Sequence, residues 1–185
     1  MRAQLLRLDH ALRAWVVTHR IAWLDQPIFL LSAAGLFGGV WVFIALILAL
    51  FRRFLWRDFG RLVLVLIVTT VVTDYVLKPA IHRARPFHWT PDILVIGRHS
   101  DTSSFPSGHT ATAVAGAFVF TRVLPAGRVV WWLLAAAIAY SRVYLGVHYP
   151  LDVVAGAIVG AACAIGIWRL TRGISSDQSD DDEGA

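Results

Sequence analysis

Long apolar runs constrain this chain more than any other feature. The run Ile28–Phe51 holds no charged residue, and four further apolar runs follow it. About 20 apolar residues in a helix cross the ~30 Å hydrocarbon core of a bilayer. Hydrophobic residues make up 57% of the 185 residues, more than is usual for a soluble domain. We therefore predict an all-α fold, a polytopic membrane helix bundle of about five transmembrane helices. The predicted spans are residues 28–51, 62–77, 107–123, 129–146 and 151–168.

The two ends of the chain differ from this core. Residues 1–24 carry apolar side chains at helical spacing with arginines between them, which is typical of a helix lying in the membrane interface. A sixth, imperfect span is the alternative for this segment. Residues 173–185 are polar and acidic, and we expect them to be disordered. Residues 1–172 are then expected to form a single membrane domain.

The distribution of arginine predicts the orientation of the bundle. The connection between the first two predicted spans carries four arginines, and short cytoplasmic connections are enriched in Lys and Arg (Arg52, Arg53, Arg57, Arg61). Alternation from there places connections 78–106 and 147–150 on the extracytoplasmic side of the membrane. The arginines of residues 1–24 would lie outside as well, where an interfacial helix tolerates them by binding anionic headgroups.

Three polar clusters converge on this predicted outer face. The first is Lys78 with Arg85-Pro86, the second is Pro106–His109 (PSGH), and the third runs from Ser141 to Asp152. Ionisable groups near membrane depth are energetically unfavourable and usually mark a site or a buried pair. The clusters are rich in cations and hold a single carboxylate, Asp152. This composition favours binding of an anion.

The PSGH stretch suggests how the anion is held. Proline is tolerated in the first turn of a helix, and the N–H groups of Ser107, Gly108 and His109 would then project unpaired from the helix end. Such an end binds phosphate through its donors and the positive pole of the helix dipole. A simple helix start with a capping serine is the alternative for this stretch alone, and the neighbouring cations argue against it.

His148 and Asp152 are candidates for the chemistry. A carboxylate on one imidazole nitrogen fixes the tautomer and leaves the other nitrogen free and more basic. His is also a common metal ligand, but Lys78, Arg85 and Arg142 would repel a divalent ion. We therefore expect neither a metal nor a cofactor.

The three clusters together resemble the motifs of the type 2 phosphatidic acid phosphatase superfamily. The matching stretches are Lys78-x6-Arg85-Pro86, then Pro106-Ser107-Gly108-His109, then Ser141-Arg142-x5-His148-x3-Asp152. The resemblance implies that His148 attacks phosphorus to form a phosphohistidine, that Asp152 orients it, and that His109 protonates the leaving oxygen. It also implies a set of groups that hold the phosphate oxygens, namely Lys78, Arg85, Arg142, Ser107 and the N–H of Gly108.

Two charged residues near these motifs, Asp74 and Arg83, are interpreted differently: the first as a partner of Lys78 and the second as a polar loop residue. Asp74 lies four residues before Lys78 on the same helical face, so we predict that the two pair. Arg83 lies in the outer connection and is interpreted as one of several polar loop residues that could touch a headgroup.

The resemblance implies an integral membrane lipid phosphate phosphatase, with the lipid phosphate and the bilayer as partners and no nucleic acid. The predicted outer site favours undecaprenyl diphosphate as substrate. Phosphatidate and phosphatidylglycerophosphate remain open, as do transfer of the phosphoryl group to another acceptor and the oligomeric state. A non-catalytic scaffold or small channel is disfavoured, because no catalytic group of the motifs is missing.

Overall fold

The structure, a computed structural model, describes residues 2–89, 95–97 and 101–182. Within these ranges the chain is built from helices without a strand, and the all-α prediction is confirmed. The helices are α1 (Arg2–Thr18), α2 (Ala22–Ala34), α3 (Gly39–Leu50), α4 (Trp56–Thr70), α5 (Lys78–Ile81), α6 (Pro86–Trp89), α7 (Gly108–Val123), α8 (Arg128–Tyr144) and α9 (Pro150–Asp182). A π-helical stretch, Val71–Leu77, joins α4 to α5.

Helix α7 occupies the centre of the bundle and packs against α4, α8 and α9. Its contact with α9 is close because α9 presents glycine there. A Cβ built on Gly156 would lie 2.4 Å from the carbonyl oxygen of Ser107, and one on Gly160 would lie 2.1 Å from that of Ala111. Small residues let membrane helices approach backbone to backbone, where van der Waals packing stabilises the pair. The two elements that carry the PSGH stretch and Asp152 are therefore held directly against each other.

The first predicted span, residues 28–51, is not one straight helix. Helices α2 and α3 are bent by 54° at a short 3-10 turn, Leu36–Gly38. Phe37 and Gly38 both have positive φ, 50° and 77°, which interrupts helical hydrogen bonding. Hydropathy does not register this bend, because the bend depends on the left-handed backbone that Gly38 permits.

Two helical segments are long and apolar enough to cross a membrane among the described residues, Trp56–His88 and Pro150–Thr171. A third results if α2 and α3 count as one bent span. Helices α7 and α8, with 16 and 17 residues, are shorter than the roughly 20 residues that cross the hydrocarbon core of a bilayer. The number of five spans therefore stays a prediction.

The ends of the chain are both helical. In α1 the apolar face is more than half exposed at Leu5, Leu8, Leu12 and Trp15, whereas the polar Asp9 and Arg13 are buried against the bundle. Helix α9 continues through residues 173–182, which the composition predicts to be disordered; no proline interrupts it there. Residues 183–185 of that predicted tail lie outside the described residues.

Candidate active site

A pocket of about 540 Å³ opens between α2, the π-helical stretch, α7 and α8. The lining includes the predicted site residues Asp74, Lys78, Arg85, Gly108, His109, Arg142 and His148. It also includes the apolar side chains of Phe29, Leu36 and Phe37, which lie at or beside the bend between α2 and α3. Residues more than 60 positions apart in sequence are thus brought to one cavity.

Helix α7 begins at this pocket. Ser107 has extended backbone angles and caps the helix, since its Oγ accepts hydrogen bonds from the N–H and hydroxyl of Thr110. Its own N–H donates to the carbonyl oxygen of Asp152 at 3.0 Å. Ser107 is fully buried, while Gly108 and His109 line the cavity. The helix end therefore faces the pocket through Gly108 and His109, and a contact of Ser107 with phosphate stays a prediction.

The two arginines that line the pocket are anchored by the protein. Arg85 donates to the carbonyl and hydroxyl of Thr102 at 2.8 and 3.0 Å, and to the carbonyl of Val147 at 3.3 Å. Arg142 donates through Nη1 to the hydroxyl of Ser32 on α2. Its Nε is buried and makes no hydrogen bond to the described residues. An Arg held in one geometry can offer its remaining donors to an anion without a further loss of side-chain freedom.

Lys78 pairs with Asp74 as predicted. Its Nζ lies 2.6 Å from Oδ1 of Asp74, one helical turn earlier. Asp74 belongs to the π-helical stretch, a conformation that occurs often at functional sites because it shifts the register of the following residues. The carboxylate also faces Gly108, where an added Cβ would lie 2.9 Å from Oδ1. Asp74 thus positions Lys78 beside the start of α7.

His148 lies in the short link between α8 and α9 and is fully enclosed. Its Nδ1 is 3.5 Å from Oδ2 of Asp152, a distance within ion-pair range but longer than a hydrogen bond. Burial, with a smaller contribution from the charges of Arg85 and Arg142, lowers the pKa of His148 to about 3, although Asp152 acts in the opposite direction. The imidazole is therefore neutral at ordinary pH, and a neutral ring nitrogen can act as a nucleophile.

Asp152 is held mainly by residues that the motifs do not include. Its Oδ1 accepts from Arg83 at 2.5 Å, and its Oδ2 accepts from the hydroxyl of Ser104 and from the N–H of Tyr149 at 2.9 Å. The interpretation of Arg83 as an ordinary loop residue is wrong, since its guanidinium reaches inward to the motif carboxylate. In the sequence, Arg83 is distinguished only by its position two residues before Arg85, and that position does not show which way its side chain points.

Metal-binding geometry is absent from the part of the chain that the structure describes: no group of three or more His, Cys, Asp or Glu side chains is arranged to hold an ion. Besides Asp74, which pairs with Lys78, the pocket is lined by three cationic side chains and two imidazoles. Fold and site together define a helical membrane protein with a cation-lined pocket beside an enclosed neutral histidine.

Comparison with known proteins identifies the family. The sequence model of the PAP2 superfamily matches residues 58–175, more than half of the chain. The chain belongs to the PAP2 superfamily, and the resemblance derived from its three motifs is confirmed.

Similar proteins include several lipid phosphatases. Undecaprenyl-diphosphatase of Sulfolobus acidocaldarius is 33% identical over 127 residues, which cover 66% of this chain and 59% of that protein. Decaprenylphosphoryl-5-phosphoribose phosphatase of Mycobacterium tuberculosis is 34% identical over 156 residues, 80% of this chain and 84% of that protein. The solved PAP2-type phosphatidylglycerolphosphate phosphatase of Bacillus subtilis aligns with a TM-score of 0.73 at 25% identity, over 92% of this chain and 88% of that chain. The chain spans less than two thirds of the length of some curated relatives, 59%, 40% and 36% in three cases.

Proposed function

We propose that this protein is a membrane lipid phosphate phosphatase that works without a metal, through a phosphohistidine on His148. The observation that carries the proposal is the convergence of Lys78, Arg85 and Arg142 with His109 and His148 on one pocket at the start of α7. Three fixed cations and a helix N-terminus match the charge of a phosphoryl group, and preorganised donors of this kind stabilise its transition state.

The non-bridging oxygens would be held by the three cations and by the Gly108 N–H, with Ser107 at the same helix start. His148 would then form a bond from Nε2 to phosphorus, because its Nδ1 is turned toward Asp152. As the bond from phosphorus to the leaving oxygen breaks, His109 would donate a proton to that oxygen. Water would next attack phosphorus and pass a proton to the deprotonated His109, while the bond from phosphorus to Nε2 breaks, so that phosphate leaves and both histidines return to their starting states. Asp152 would balance the positive charge that the ring carries between these steps.

We propose undecaprenyl diphosphate as the substrate. Apolar side chains in the pocket lining, among them Leu36 and Phe37 at the bend, suit the hydrocarbon chain of a lipid substrate. Two of the relatives are named for polyprenyl substrates, undecaprenyl diphosphate and a decaprenyl-linked phosphoribose. The name of the Bacillus subtilis structure supports phosphatidylglycerophosphate as the second candidate. Phosphatidate and transfer to an acceptor other than water are further outcomes of the test.

The location proposed for the protein is a bacterial cytoplasmic membrane, with the pocket facing the extracytoplasmic side. This rests on the arginines at positions 52, 53, 57 and 61, which lie at the opposite end of α4 from Lys78. A recycled lipid carrier would release its phosphate on that face.

The decisive experiment measures free phosphate released by the purified protein in detergent. Undecaprenyl diphosphate, phosphatidate and phosphatidylglycerophosphate are compared, each with excess EDTA and with orthovanadate, which mimics a trigonal phosphoryl group. We expect hydrolysis that EDTA leaves intact and vanadate inhibits. His148→Ala should remove activity, whereas His19→Ala, a matched exposed histidine at the end of α1, should retain it. EDTA inhibition reversed by a divalent metal, or an active His148→Ala, would refute the mechanism.

A further inference from the structure

Asp9 is a buried carboxylate that belongs to none of the three motifs. It lies on α1, with a side chain that is 0% exposed, and outside residues 58–175 matched by the family model. Its Oδ2 accepts from Nη2 of Arg83 at 2.6 Å, and its Oδ1 accepts from the N–H of Leu151 at 2.8 Å. Burying a carboxylate is unfavourable unless it is paired and hydrogen-bonded, and here both oxygens are engaged. The side chain therefore links the N-terminal helix to the first turn of α9.

Arg83 completes a bridge from Asp9 to the site. Its Nη1 donates to Oδ1 of Asp152 at 2.5 Å while its Nη2 donates to Asp9, so one guanidinium binds two carboxylates. The guanidinium carbon also lies 4.2 Å from the ring centroid of Tyr149. A planar fork of donors can bridge two carboxylates in fixed directions, which a compact ammonium cannot do.

We propose that Asp9 and Arg83 are positioning residues that act on His148 through Asp152. This inference rests on the proposed function of His148 as the nucleophile. Asp152 must be held in one rotamer facing the imidazole, and Arg83 supplies a short bond that fixes one of its two oxygens.

The bridge also sets the charge beside His148. Arg83 and Asp152 alone would be neutral together, whereas Asp9, Arg83 and Asp152 carry a net charge of −1. Phosphoryl transfer to Nε2 leaves the imidazole cationic, and a net negative group 3.5 Å from Nδ1 stabilises that cation. Asp9 therefore preserves the negative charge of Asp152 toward the histidine although Asp152 is bonded to an arginine.

The test compares Asp9→Asn, Arg83→Lys and the double variant with the wild type in steady-state and single-turnover hydrolysis of undecaprenyl diphosphate. Asp25→Asn is the matched control: this carboxylate anchors α2 by accepting from the Tyr144 hydroxyl at 2.7 Å, and it is not among the hydrogen-bond partners found for Asp152. We expect Asp9→Asn to lower kcat at least about 10-fold, the scale on which partners of a functional histidine act. Alkaline-quenched phosphohistidine should form correspondingly more slowly. KM and the vanadate affinity should change less than about 2-fold, because the cations of the pocket remain.

Coupling separates positioning from general support of the fold. If Asp9 acts through Arg83, Asp9→Asn should add less than about 2-fold to the loss in Arg83→Lys. Multiplicative losses, an unchanged kcat in Asp9→Asn, or an equal loss in Asp25→Asn would each overturn the inference. If Asp9→Asn does not fold in detergent, Asp9→Glu and Arg83→Lys are compared with the wild type instead. If the bridge positions Asp152, Asp9→Glu should retain the wild-type kcat and Arg83→Lys should lower it. Phosphate release by the wild type with no effect of these variants refutes this inference alone. No release from any lipid phosphate by the wild type refutes the proposed function and this inference with it.

Discussion

Gly156→Ala tests whether the backbone contact between α7 and α9 sets the geometry of the pocket. Gly156 lies one helical turn after Asp152 on α9, directly against Ser107. The added Cβ would meet the carbonyl oxygen of Ser107 at 2.4 Å, about 1 Å closer than the 3.4 Å at which ordinary contact begins. A carbonyl group at the start of a helix cannot rotate away as a flexible side chain can, so one of the two helices must move.

The helix movement caused by Gly156→Ala would displace residues of the pocket. Either α7 moves, with Gly108 and His109, or α9 moves, with Asp152, and the 3.0 Å bond from the Ser107 N–H to the Asp152 carbonyl is strained in both cases. A misplacement of about 1 Å can lower a rate about 100-fold, and we expect a loss of that order in kcat/KM. Overpacking costs about 1–3 kcal/mol, and the better helix propensity of alanine offsets about 1 kcal/mol of it. The protein should therefore remain folded with a modestly lower Tm.

The matched control is Gly166→Ala, about three turns closer to the C-terminus of the same helix. A Cβ there meets nothing within 4 Å, so this variant should keep full activity and be equally or more thermostable. Both variants are assayed for phosphate release and for thermal unfolding in the same detergent. Wild-type kcat/KM in Gly156→Ala, with its fold intact, would refute the argument that close approach of the helices positions the site.

Three further predictions address the chemistry and the orientation. Loss of the proposed general acid in His109→Ala should lower kcat on phosphatidate about 10-fold or more beyond its effect on a prenyl diphosphate, since an alkoxide needs a proton more than a phosphate leaving group does; equal losses would assign the residue to phosphate binding. Because burial lowers the pKa of His148, its ring should stay neutral as the pH falls from 8 to 5, a range that includes the ordinary histidine pKa near 6.5. A ¹⁵N-histidine NMR titration, with the His148 resonance assigned by comparison with His148→Ala, checks this, and a resonance that titrates near pH 6.5 would contradict it. In a Cys163→Ala background, Thr102→Cys should react with an impermeant thiol reagent in intact cells and Arg57→Cys only after permeabilisation, and the reverse pattern would place the pocket in the cytoplasm.

Much of the pocket could be predicted from the sequence because its residues stand in short, ordered motifs. Lys78, Arg85, His109, Arg142 and His148 are all found at one cavity, as their order along the chain predicts. The pairing of Lys78 with Asp74 follows from helical spacing alone, which survives even in a π-helical stretch. In both cases the residues are either close together in sequence or part of a motif, so their proximity in space can be predicted from the sequence.

The bend between α2 and α3 could not be read from hydropathy. The run of residues 28–51 is uniformly apolar, and its interruption depends on positive φ at Phe37 and Gly38. Gly38 also packs closely against Leu66, since a Cβ added to Gly38 would lie 2.7 Å from the Leu66 side chain. Apolarity predicts that a segment enters the membrane, but the direction it takes there depends on what it packs against.

The sequence by itself determined the class of protein, the helical membrane architecture and the set of cationic and histidine side chains that line the pocket. Only the tertiary structure decided which charges accompany His148. Asp9 and Arg83 are 74 residues apart and Arg83 and Asp152 are 69 apart, yet the three side chains form one bonded chain. No periodicity relates such positions, because their contact depends on how α1 docks on α9. Contacts between residues so far apart in sequence are determined by how the helices pack, and packing is a property of the folded molecule.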